Sequence, residues 1–329
     1  MSCYVTRQAL HHNHLFNSRR HISQVLGDPA TDSATRKKLG QLRNILEYSA
    51  RQGLNSAGAY RYYIPLEGDV VSYLVQAAWA DKLESVTWWF PVTGDVPYLG
   101  FFEESEREEE AASLKSQGYD VWKSEASAFS GLGWFEDPVF SSFLRRSRAS
   151  LAELIFHELV HRTLWVSGYA TFNENLASYL DEVMTHNYLK EKGDSQGLEK
   201  YLNKKSDRNL YKQWLSDLKK ALMALYEAPP PGGKSALLAA KDKIFQRFTT
   251  QLRPAFKGYD YVGKEPWNNA RVLAASLYSP DTERFAKAHA CSSRLSPGEF
   301  LKVLAEAIEQ YDEPFEALDS LCNSRPLKQ

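Results

Sequence analysis

Residues Ile155 to Leu164 read I-F-H-E-L-V-H-R-T-L and carry the pattern H-E-x-x-H at His157, Glu158 and His161. Residues four apart on an α-helix share one face, about 5.4 Å apart along the axis. Both imidazoles can then reach a single Zn²⁺, while the glutamate between them addresses the water that such a metal activates. The flanks supply the helix this needs. Ser150 and Glu153 form an S-x-x-E capping box, which predicts a helix starting near Leu151. Leu151, Leu154, Ile155 and Leu159 give it an apolar face, and Gly168 is the expected C-terminal stop. A core helix with two merely hydrogen-bonded histidines would show the same stripe, but it has no use for His, Glu and His on one strip.

A catalytic zinc takes three protein ligands and keeps a fourth position open. Thirteen residues beyond His161 stands Glu174, in the run F-N-E-N-L-A-S-Y-L-D-E. Thr171 and Glu174 repeat the capping-box spacing, so a second helix is expected to begin near Phe172 after a short turn. Two helices joined in this way return past each other, which turns Glu174 toward the histidine face. The other role open to Glu174 is to cap its own helix and complement the helix dipole. Asp181 and Glu182, two turns further on, are candidates to orient a histidine N–H, and His186 is a competing third ligand.

These blocks resemble the bacterial putative-aminopeptidase family of zinc metallopeptidases, of the gluzincin type, with two His and one Glu on zinc. The resemblance rests on I-F-H-E-L-V-H at 155–161 and F-N-E-N-L-A-S at 172–178. Upstream it takes in W-F-P-V-T-G-D-V-P-Y-L-G-F-F at 89–102, G-Y-D-V-W at 118–122 and A-F-S-G-L-G-W-F-E-D-P-V-F at 128–140. Downstream it takes in W-N-N-A-R-V at 267–272 and Tyr278. Relatives often carry a cysteine pair around the F-P-V-x-G block; Trp89 and Asp95 stand there, so that crosslink is absent.

The resemblance implies one Zn²⁺ per chain on His157, His161 and Glu174, and a peptide or protein substrate. Glu158 would take a proton from water and pass it to the leaving amine. Arg271 and Tyr278 are the candidate donors to the developing oxyanion. The substrate would lie as an added strand on a sheet edge, at Tyr98–Phe102 or Ala128–Phe135, where Gly131 and Gly133 allow close approach. An aminopeptidase must also anchor a free α-ammonium, and no G-x-M-E-N motif supplies the carboxylate. An endopeptidase of the same mechanism is therefore the alternative. From another class comes a non-catalytic envelope protein with structural zinc and a peptide-binding groove, which would need a fourth ligand and leave Glu158 idle.

The rest of the chain fits an α+β protein, predominantly helical, in which a zincin-like helix pair packs beside a small, mostly antiparallel sheet. Segments at Val70–Val75, Val86–Phe90, Val96–Phe102 and Tyr119–Trp122 read as strands, interrupted by an acidic helix over Glu103–Gln117. We expect one elaborated domain over 1–329, with N-terminal helices in 1–58, the sheet and zinc helices in 59–187 and a helical region in 188–329. The first helices should break at Gly27-Asp28-Pro29, and a Pro-Gly turn at 229–233 should separate two later ones. A-P-P-P-G-G-K-S at 228–235 imitates a phosphate loop, but three prolines delete backbone donors such a loop requires.

Forty Lys and Arg against 41 Asp and Glu leave a net charge of −1, which gives no electrostatic basis for nucleic-acid binding. No transmembrane span is expected, because no apolar run approaches the roughly 18 residues one requires. Met1-Ser2-Cys3 does not read as a signal peptide. In the resembled family, however, chains often begin at a lipid-modified cysteine followed by an aromatic residue, and Cys3-Tyr4 matches that place. A lipid anchor there implies the bacterial envelope or periplasm; an unmodified Cys3 implies the cytoplasm. Cys291 and Cys322 could pair in an oxidising compartment. His11, His12, His14 and His21 read as a solvated helix face rather than a metal site.

Overall fold

The computed structural model describes residues 17–66, 68, 70–90, 94–126, 138–255, 266–277, 282–292 and 295–323. In chain order the elements are β1 (Arg20–His21), α1 (Ile22–Gly27), α2 (Ser33–Arg51), β2 (Tyr62–Ile64), β3 (Ser72–Trp79), β4 (Trp88–Phe90) and β5 (Gly94–Val96). Then come β6 (Leu99–Phe101), α3 (Glu104–Ser116), β7 (Tyr119–Ala126), β8 (Val139–Phe140), α4 (Arg148–Thr163), α5 (Ala170–Glu191) and α6 (Ser195–Glu227). α7 (Gly233–Ala255), α8 (Asn269–Leu277), α9 (Glu283–Cys291), α10 (Pro297–Ile308) and α11 (Pro314–Asn323) follow. Helix predominates and the strands form small sheets, so the α+β class holds. The chain divides into two compact units, one drawn from within Val70–Ser127 and Leu202–Ser279, the other from within His12–Asp69, Ala128–Tyr201 and Pro280–Gln329.

In the first unit, β3 pairs antiparallel with β6 on one side and β7 on the other. Strand alternation sends Val75, Ala77 and Val121 to one face, where they pack with Leu99, Phe101 and with Ala111 and Leu114 of α3. On the other face Asp120 meets α7 and α8: Lys241 Nζ donates to it at 2.9 Å and the Asn269 N–H at 2.8 Å. Asn269 also donates to the carbonyls of Trp79 and Lys82, and Tyr226 donates to Asn269. The W-N-N-A-R-V block thus fastens α8 to the sheet. Trp214, Leu218, Phe245, Phe248, Trp267 and Val272 form the apolar core beneath.

The strands expected as one sheet resolve into this sheet and a separate β4–β5 hairpin, while α3 falls where the acidic helix was expected. The turn at 228–232 joins α6 to α7, so a helix rather than a strand precedes G-K-S, and Lys234 pairs with Asp81 at 3.2 Å.

In the second unit α2, α4 and α5 bury a common core, with Tyr48, Phe156 and Tyr188 in mutual edge or tilted ring contact. α1 and α2 break at Asp28-Pro29 as expected, and Asp32 caps α2 by accepting from the Thr35 N–H. β2 pairs antiparallel with β1 but parallel with β8. Cys291 at the end of α9 is disulfide-bonded to Cys322 of α11.

Candidate metal centre

α4 carries the histidines, but it starts earlier than its capping signal predicts. Ser147 rather than Ser150 is the N-cap and accepts from the Ser150 N–H at 3.1 Å. Arg148 and Ala149 are good helix formers, so the helix runs back to the earlier serine. Ser150 and Glu153 lie inside it, and Glu153 accepts from the Tyr201 hydroxyl instead. α4 ends at Thr163, capped at Leu164, so Gly168, with φ +84°, belongs to the entry of α5 and not to the stop of α4. α5 in turn begins at Ala170 with no side-chain cap, and the Thr171 box does not form. Glu174 therefore stands beyond the first turn, without a capping role.

The carboxylate goes to the histidines. Glu174 Oε2 lies 3.4 Å from His157 Nε2 and Oε1 lies 3.4 Å from His161 Nε2. The two Nε2 atoms are 3.1 Å apart, and one ligand atom from each residue falls within 4.8 Å of the others. Asp181 Oδ2 accepts from His157 Nδ1 at 2.9 Å. That bond keeps a proton on Nδ1, so the nitrogen that can give up its proton to a metal is Nε2, which faces the cluster.

Such an arrangement is poor as mere packing. Two imidazole nitrogens face each other, and one of them at most can donate. His161 Nδ1 is buried with no hydrogen-bond partner among the described residues. Two nitrogens and a carboxylate oxygen form a donor set that suits zinc. Burial opposes a charge on His157, but the Asp181 and Glu174 carboxylates outweigh it and raise its pKa to about 10. The hydrogen bonds from His157 and then His161 hold the Glu174 carboxyl far below the usual carboxylate range.

Glu158, half-buried, occupies the next position on α4. Among the described residues the cluster has three members: Glu182 is outside it, and His186 bonds to Asn187 instead. Arg271 belongs to the other unit, where its guanidinium lies 4.4 Å from the Trp122 ring centroid and 4.3 Å from that of Trp267. Tyr278, Cys3, the segment Ala128–Phe135, His11, His12 and His14 lie outside the described residues. His21 caps α1 by accepting from the Ser23 N–H.

One residue escaped the motif reading. Asn173, fully buried, accepts from the Val166 N–H at 2.9 Å and donates to the Val166 carbonyl at 2.8 Å. The two bonds clamp the turn between α4 and α5 beside the third member of the cluster. The signal was present: Asn173 shares an i, i+3, i+4, i+7 stripe with Leu176, Ala177 and Leu180, so a polar side chain sits on an apolar face.

Fold and cluster together define a mostly helical α+β protein with two histidines and a carboxylate gathered on a helix pair. The chain belongs to the putative aminopeptidase family, whose model matches residues 3–312, and membership points to a peptidase-like hydrolase. Neither a curated protein nor a solved structure matches it. Among the described residues, no helix is long and apolar enough to cross a membrane.

Proposed function

We propose that this protein is a zinc-dependent, aminopeptidase-like peptidase that holds one metal ion on His157, His161 and Glu174. The observation that carries the reading is the convergence of these three side chains, with Asp181 fixing the His157 tautomer. A zinc bound there would polarise the substrate carbonyl and make water acidic enough to attack near neutral pH. Glu158 accepts the water proton and returns it to the leaving amine. Among the described residues the cluster offers three protein ligands, rather than the four of a closed structural site, which favours catalysis over scaffolding. Tyr278 and Arg271 are proposed as oxyanion donors on the family resemblance alone. The Cys291–Cys322 disulfide supports an oxidising envelope compartment, with Cys3 as the proposed lipid anchor.

A peptide-library digest tests this reading. Chelation should abolish cleavage and added zinc should restore it; full activity after exhaustive chelation counts against the metal. Comparing a free peptide with its N-acetylated copy separates the two peptidase modes. An aminopeptidase spares the blocked copy, and an endopeptidase cuts both.

A further inference from the structure

The rings of His157, His161 and Trp165 stand in a row. His157 meets His161 edge-to-face with 4.7 Å between centroids, and His161 meets Trp165 in the same way at 5.3 Å. Trp165 lies beyond the end of α4, yet its side chain continues the face that carries the two histidines. By spacing alone that position belongs to the apolar stripe of the helix, but the residue is 44% exposed.

A single apolar side chain on a surface is ordinary. Trp165 differs in how it is held. The Leu164 N–H donates to the Val160 carbonyl at 2.9 Å, which ties the preceding residue to the last turn of α4. Both backbone groups of Val166, the residue that follows, are bonded to the buried Asn173 side chain. The backbone is thus fixed on either side of the indole. Among the described residues the one aromatic contact of Trp165 is His161, so ring packing does not account for its place. Glu174 and both imidazoles are also partly exposed, so cluster and indole open to solvent side by side.

We propose that Trp165 is a substrate-contact residue that selects peptides with an aromatic side chain next to the cleaved bond. A peptide bond brought to the cluster places a flanking side chain within reach of the indole. A flat, uncharged ring pairs well with another ring, and a surface already held in place loses little freedom on binding. The inference rests on the zinc-peptidase reading and adds a substrate class to it. A tryptophan that only braced His161 would act on the metal and on every substrate alike.

A peptide-library digest in which mass spectrometry reads the residues flanking each cut serves for either peptidase mode. The unaltered protein should favour phenylalanine, tyrosine or tryptophan over alanine at one flanking position, and Trp165→Ala should shrink that preference about tenfold. Trp165→Phe should keep most of it. Zinc is measured on each variant and should remain at about one per chain. Binding of phenylalanine hydroxamate against alanine hydroxamate to the zinc-loaded protein reads the same contact without turnover and should show the same drop. No aromatic preference in the unaltered protein, or an equal loss for aromatic and alanine side chains in Trp165→Ala, overturns the subsite and leaves the zinc reading standing. An unaltered protein that binds no zinc overturns both.

Discussion

Asp181 accepts from His157 Nδ1 at 2.9 Å, and a carboxylate in that position decides which ring nitrogen faces the cluster. Asp181→Asn should therefore weaken zinc about 10- to 100-fold while the chain stays folded. Competition with a chromophoric chelator measures it, and unchanged affinity would remove Asp181 from the metal's support. The proton on His157 gives a second expectation. In metal-free protein its pKa is raised to about 10, so it is protonated at neutral pH and loses that proton only as pH rises through that value. Zinc must displace the proton, so affinity should climb about tenfold per pH unit between roughly pH 6 and pH 8. Calorimetry in buffers of different ionisation enthalpy would show the release, and an affinity flat with pH would contradict it. At this scale the sequence was informative, because H-E-x-x-H states both spacing and chemistry. It left the orienting residue open between Asp181 and Glu182, since choosing between them requires knowing how α5 is rotated.

At the scale of elements, the existence of α4 and α5 was legible and their starts were not. Two serines three apart offer rival caps before α4, and local pattern alone cannot choose between them; helix propensity at Arg148 and Ala149 does. The start of α5 is set by the turn itself, through the positive φ of Gly168 and the Asn173 clamp on Val166. The shift matters chemically, because it moves Glu174 out of the capping position and leaves it to the histidines. Asn173→Ala removes both clamp bonds from a buried site and should cost about 1–3 kcal/mol of stability. It should also weaken zinc, since the turn carries the third ligand relative to the first two. Denaturant unfolding and metal titration of that variant test both effects, and wild-type values in both would show that the turn holds without the clamp.

For the whole molecule, composition and periodicity indicated the class, a mostly helical α+β chain with little net charge. The parallel pairing of β2 with β8, the separate β4–β5 hairpin and the division into two units were not legible. Each depends on contacts between segments far apart in sequence, where no local period reports. Cysteine pairing belongs here too: spacing permitted Cys291 and Cys322 to meet, and the packing of α9 with α11 brings them together. With the bonded positions 31 apart in sequence, the crosslink should stabilise its unit by about 3–4 kcal/mol through the unfolded chain. Reductant, or a paired change of both cysteines to serine, should lower the melting temperature, and an unchanged melt would deny the crosslink that role.

The central claim is that His157, His161 and Glu174 hold a zinc which Glu158 uses to break a peptide bond. Its most direct test is zinc content and peptide hydrolysis measured together on Glu158→Gln. The account predicts about one zinc per chain, as in the unaltered protein, with hydrolysis lost. Undiminished hydrolysis in that variant, or no bound zinc in either protein, would contradict it.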